Sequence, residues 1–70
     1  MNSLTVKHKD DGGPERIWPV DSVSYDESAA RLTGFREGQP NLVWESGHAF
    51  VMNASGKTVG AYSMRRPVGR

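Results

Sequence analysis

NLVWESGHAFVMNASGKTVGAYSM, residues 41–64, is the stretch that decides the fold. Short apolar runs are broken there by Ser46-Gly47 and by Asn53-Ala54-Ser55-Gly56. Turn residues between strand-like runs are the signature of β-hairpins. A two-residue turn at Ser46-Gly47 pairs Glu45 with His48, Trp44 with Ala49, Val43 with Phe50 and Leu42 with Val51. Around Gly56, a three-residue loop with a bulge pairs Asn53 with Lys57, Val51 with Val59, Phe50 with Gly60, Ala49 with Ala61 and His48 with Tyr62. Side chains alternate between the two faces of a strand. This register therefore puts Leu42, Trp44, Ala49, Val51, Val59 and Ala61 on one apolar face, the expected core. Val43, Glu45, His48, Phe50, Met52, Thr58, Gly60, Tyr62 and Met64 share the other, mixed face, with Phe50 lying over Gly60.

Outward from this stretch, strand signals continue. Leu4 to Lys9 alternates apolar and polar residues, the period of a half-buried strand. Asp10-Asp11-Gly12-Gly13-Pro14 ends it with turn residues. Arg16 to Tyr25 reads as a longer strand whose apolar parity slips after Val20. Proline cannot donate to a ladder and belongs on an edge or at a bulge, so a bend is expected between Pro19 and Asp21. Asp26 suits the first position of a type I turn leading to a returning strand, Arg31 to Arg36. A short helix from Asp26 to Gly34 is the competing reading, and short isolated helices are marginal. The hairpin is therefore favoured. Glu37-Gly38-Gln39-Pro40 is a loop.

The predicted fold is all-β: five or six short antiparallel strands in a meander, forming a bent sheet or a partly open barrel of the SH3 or OB kind. Residues 1–64 form one small domain, and residues 65–70, with Arg65, Arg66 and Arg70, form a flexible basic tail. A 70-residue chain has few large apolar side chains, enough for one modest core but not for a deep substrate pocket as well. Small domains usually rely on a disulfide, a metal or oligomerisation. The chain has no cysteine, which removes disulfides and thiolate zinc sites and leaves a homodimer as the open route.

The net charge is +1, made of −3 over residues 1–30 and +4 over residues 31–70. The two halves are expected to neutralise each other across the sheet, and nucleic-acid domains are generally far more basic. No signal peptide is expected from Met1-Asn2-Ser3-Leu4-Thr5, and no apolar run is long enough to span a bilayer. The cytoplasm is the expected location. A short, cysteine-free, strand-rich make-up is similar to that of many small bacterial and bacteriophage proteins. No motif carries the likeness, and no residue role follows from it.

Several residue groups have the look of chemistry. Ser55-Gly56-Lys57-Thr58 resembles the end of a phosphate-binding loop, but Val51 stands where the motif needs glycine and a strand follows where it needs a helix. Asn53-Ala54-Ser55 is a glycosylation sequon read here as a turn. His8, Asp10 and Asp11 have hard-metal donors, yet alternation separates Asp11 from the other two. Glu45, Ser46 and His48 have the types used in nucleophilic catalysis, but at an exposed turn with no oxyanion donors. No catalytic residue, metal, cofactor or small-molecule substrate is therefore expected.

The expected function is a non-enzymatic interaction module, binding a protein partner or itself. Its expected surface is His48, Phe50, Met52 and Tyr62, with Arg65 and Arg66 at the edge. Aromatic residues, methionine and arginine are enriched at protein interfaces. The alternative is a small β-barrel for single-stranded nucleic acid. It would stack bases on Trp18, Phe35, Phe50 and Tyr62 while Arg36, Lys57, Arg65 and Arg66 track phosphates.

Overall fold

The structure, a computed structural model, describes residues 3–10 and 12–64. The expected tail, residues 65–70, lies outside them, as does Asp11. Among the described residues seven antiparallel strands follow one another: β1 (Leu4–Lys9), β2 (Glu15–Val20), β3 (Ser22–Asp26), β4 (Arg31–Phe35), β5 (Leu42–Trp44), β6 (His48–Asn53) and β7 (Thr58–Ser63). They form a four-stranded sheet in the order β2-β1-β6-β7 and a three-stranded sheet in the order β3-β4-β5. The all-β expectation holds. Among the described residues there is no helix long and apolar enough to cross a membrane.

The bend expected near Pro19 is the first corner. β2 pairs with β1, and after Asp21 the chain continues as β3 in the other sheet. Pro19 sits on the edge strand β2, where its missing N–H costs no ladder bond. Asp21 holds the corner from both sides. Its N–H donates to the Phe35 carbonyl at 2.8 Å, and its carboxylate accepts from the Glu37 N–H at 2.6 Å.

The hairpin reading of residues 26–33 also holds. The Asp26 carboxylate accepts from the Ser28 hydroxyl at 2.8 Å, the Ser28 N–H at 3.1 Å and the Ala29 N–H at 3.3 Å. The Ser28 hydroxyl, followed by the Ala29 N–H, lowers the Asp26 pKa below its ordinary 3.8.

The Ser46-Gly47 hairpin does not form. β5 pairs with β4, whereas β6 pairs with β1 and β7. Gly47 is instead the second corner between the sheets. Its φ is +82°, and a Cβ there would collide with the Lys9 carbonyl oxygen and lie 2.8 Å from the Asp10 Cα. Glycine is needed twice over, for the left-handed backbone and for the close approach to the end of β1.

The Gly56 turn forms as expected. Asn53 N–H donates to the Lys57 carbonyl, and the Asn53 side chain accepts from the N–H groups of Ser55 and Lys57. Met52 faces Thr58, but then the register shifts, and Val51 faces Gly60, Phe50 faces Ala61 and Ala49 faces Tyr62. Val59 is the extra residue of a bulge. A one-residue shift moves every later side chain to the opposite face. Ala61, expected in the core, is therefore exposed, and Val59, the bulge residue also expected there, is exposed as well. Tyr62 packs against the core instead, and Met64 is fully buried.

Between the sheets lie Val6, Val20, Leu32, Trp44, Ala49, Val51 and Met64, with Leu4, Trp18, Val23, Tyr25, Leu42 and Tyr62 packed around them. Trp44 lies over Gly34, where a Cβ would be 3.0 Å from its ring.

Gly47→Ala is expected to destabilise the domain by at least about 2 kcal/mol, from the left-handed backbone and the overlap with β1 together. Chemical denaturation of the variant measures this. Asp26 gives a pH signature. Because folding lowers its pKa, its contribution is present above 3.8 and is lost as pH falls through the lower folded value. The stability gap between the parent and Asp26→Ala should therefore narrow in acid, as read from urea midpoints across that range.

Candidate functional site: the outer face of the four-stranded sheet

Alternation and register place three rows of side chains on the outer face of the four-stranded sheet. The middle row runs Ile17–Lys7–Phe50–Ala61 across β2, β1, β6 and β7. The flanking rows are Pro19–Thr5–Met52–Thr58 and Glu15–Lys9–His48–Ser63. Ile17 is 62 % exposed and Phe50 45 %, so large apolar groups meet water here at two positions. An exposed apolar patch rimmed by polar residues marks an interaction surface. The two lysines of β1 stand among these groups, making the face apolar and basic.

Of the expected surface, His48, Phe50 and Met52 share this face. Tyr62 does not. The Val59 bulge turns it inward, where its ring lies 4.8 Å from that of Tyr25. Arg65 and Arg66 lie outside the described residues. Sequence reasoning missed Ile17 and Lys7. The signal was present in Ile17-Trp18, two large apolar neighbours on one strand, of which only one can face the core.

The aromatic platform of the alternative reading is split up. Trp18 and Tyr62 pack on the core, and Phe35 belongs to the three-stranded sheet, opposite Ser22. The Arg36 guanidinium donates to the Pro40 carbonyl at 2.8 Å. Phe50 alone of these rings lies on the outer face of the larger sheet.

The inner side holds an open cleft of ≈ 450 Å³ between the β1–β2 turn and the tryptophans, lined by His8, Asp10, Arg16, Trp18 and Trp44 among others. Trp18 and Trp44 meet edge to face at 6.5 Å. The Trp18 Nε1–H is buried without an acceptor among the described residues, a cost of about 1–3 kcal/mol.

Beside the cleft, the His8 Nε2–H donates to the Ser46 carbonyl at 2.8 Å. A carbonyl only accepts, so this nitrogen carries the proton. The Ser46 hydroxyl donates to Asp10 at 2.8 Å. Neither imidazole is positioned to take the Ser46 proton, because His48 is on β6 facing Lys9 and Ser63. Glu45 instead pairs with Arg31 at 2.9 Å, both about half exposed, a contact of about 0–1 kcal/mol. That ion pair joins two residues of the basic half rather than bridging the halves. Among the described residues no group of three metal-ligating side chains forms. Ser55-Gly56-Lys57-Thr58 is a hairpin turn, with Gly56 at φ +84°.

Comparison with protein-family models, with curated proteins and with solved structures finds no match to this chain.

The two aromatic residues that the sequence placed together should now separate in experiment. Tyr62→Ala is expected to cost about 2 kcal/mol, as for a partly buried core ring. Phe50→Ala should cost under about 1 kcal/mol, as for a surface residue. Thermal denaturation of the two variants checks this, and equal losses would place Phe50 in the core.

Proposed function

We propose that this chain is a non-enzymatic protein-interaction module acting in the cytoplasm, partner-binding and self-associating, and that its outer sheet face is the partner surface. The observation that carries the reading is the row Ile17–Lys7–Phe50–Ala61, with Ile17 and Phe50 exposed on either side of a lysine. Exposing these groups in a chain this short gives up burial that a small domain can ill spare. The partner that fits is a protein surface presenting apolar groups to Ile17, Phe50 and Met52 and carboxylates to Lys7 and Lys9. Opposite charges at the rim steer encounter, while the apolar centre supplies most of the affinity. The nucleic-acid reading has less support, because its rings lie on different surfaces and its arginine at 36 is engaged locally.

The test is affinity capture with the tagged chain, with and without nuclease, for the parent and for the double variant Ile17→Ser, Phe50→Ser. Protein retained by the parent after nuclease and lost with a variant of unchanged circular dichroism is the expected result. Material lost on nuclease treatment would establish the nucleic-acid alternative. Capture indifferent to the double variant would remove the outer face from the mechanism.

A further inference from the structure

We infer that the chain forms a two-fold dimer by antiparallel pairing of β7 with β7 of a second copy. The inference rests on the interaction-module reading and names one partner in it.

The free edges differ in how well they are protected. A sheet edge is normally blunted by charge, proline, shortness or a bulge, since its unpaired N–H and C=O groups template further pairing. β2 carries Glu15, Arg16 and Pro19, β5 has three residues, and β3 ends in Asp26 and is largely polar. β7 has six residues, Thr58 to Ser63, with neither a charge nor a proline. Its bulge bends only its first residues.

The ladder shows which groups β7 leaves open. Met64 N–H donates to the Gly47 carbonyl at 2.9 Å, so these two form a hydrogen-bonded pair. Bonded and non-bonded pairs alternate along an antiparallel ladder. Ala49–Tyr62 and Val51–Gly60 are then bonded pairs, and Phe50–Ala61 and His48–Ser63 are not. The N–H and C=O of Ala61 and Ser63 therefore point away from β6. An independent contact agrees: the Ser63 carbonyl accepts from the Tyr25 hydroxyl of β3 at 3.3 Å.

The Tyr25 hydroxyl already takes the Ser63 carbonyl, and a second copy satisfies the open groups of Ala61 with one register. A two-fold axis normal to the sheet at Ala61, in the regular part of β7 beyond the bulge, places Ala61 opposite its own copy and Gly60 opposite Tyr62. Both pairs join residues of one face, Ala61 on the outer side and Gly60 with Tyr62 on the inner, so outer face continues into outer face. The Ala61 pair exchanges two N–H···O=C bonds. No like charges meet within the paired span, because β7 has none. Stacking two outer faces instead would bring Lys7 and Lys9 of both copies together. Edge pairing avoids this and extends the Ile17–Lys7–Phe50–Ala61 row across eight strands as one partner surface.

The chain has no cysteine, so a single introduced thiol reports the axis. Bonded antiparallel pairs have Cα atoms about 5.5 Å apart, within disulfide range. Ala61→Cys should cross-link to a covalent dimer under mild oxidation, while Gln39→Cys on the exposed β4–β5 loop should not. In sedimentation velocity the parent should run as a dimer. Ala61→Lys should weaken the dimer at least about tenfold through like charges on the axis, with circular dichroism unchanged. Mixing Ala61→Lys with Ala61→Glu should restore dimers. A parent that stays monomeric at all concentrations, or a dimer indifferent to Ala61→Lys, would overturn the pairing. Neither result touches the partner surface, which is judged separately by capture through Ile17 and Phe50. Capture indifferent to the Ile17 and Phe50 double variant, with the dimer intact, would overturn the function and leave the pairing standing.

Discussion

The pairing of β1 with β6 is the contact on which the rest of the molecule depends. It joins residues 39 to 49 positions apart, from Lys9 with His48 to Leu4 with Asn53. Each of its strands already has a local partner, β2 for β1 and β7 for β6. The long-range ladder therefore fuses two hairpins into one sheet and buries Val6 beside Val51. It also dictates Gly47, because the chain must pass against the Lys9 carbonyl to enter β6. Closing so long a loop costs entropy before any contact repays it. The two hairpins lower that cost by bringing pre-paired strands together.

The second constraint is the single extra residue at Val59. Without the bulge, Tyr62 would stand on the outer face beside Phe50, and Val59 and Ala61 would fill the core. With it, Tyr62 and Met64 fill the interior and β7 presents small or exposed residues outward. Tyr62 then stacks on Tyr25 from the other sheet, closing the interior on that side. The same bulge that improves the core thus removes one aromatic from the surface. It leaves Phe50 and Ile17 as the apolar centre of the outer face and leaves Ala61 at its edge.

The two sides of the larger sheet have different physical character. The inner side is apolar over most of its area and polar at one end, where His8, Asp10 and Ser46 join the end of β1 to the second corner. These bonds satisfy polar groups at a chain crossing and hold the approach that Gly47 requires. Among the described residues the outer side shows no such network. Its lysines and apolar side chains face solvent, and a surface of this kind gains from contact with another protein in a way the inner side cannot.

Much of the architecture was legible locally. Period-two alternation marked β1, Asp26 marked its turn through its own side-chain hydrogen bonds, Gly56 marked the last hairpin, and Pro19 marked the first corner. His48, Phe50 and Met52 were found together because they alternate on one uninterrupted strand. The errors share a cause. Ser46-Gly47 has the composition of a hairpin turn, but whether β5 and β6 pair depends on whether β4 and β1 compete for them, and both do. The bulge leaves no mark in the sequence, since Val59 is a good strand residue in either register. By itself the sequence determined the all-β class, the strand positions and most turns, because these follow from side-chain spacing and backbone conformation within a few residues. The tertiary structure alone decided which strands are neighbours and which face of β7 is buried, because strand partners and bulges are chosen by packing between residues distant in the chain.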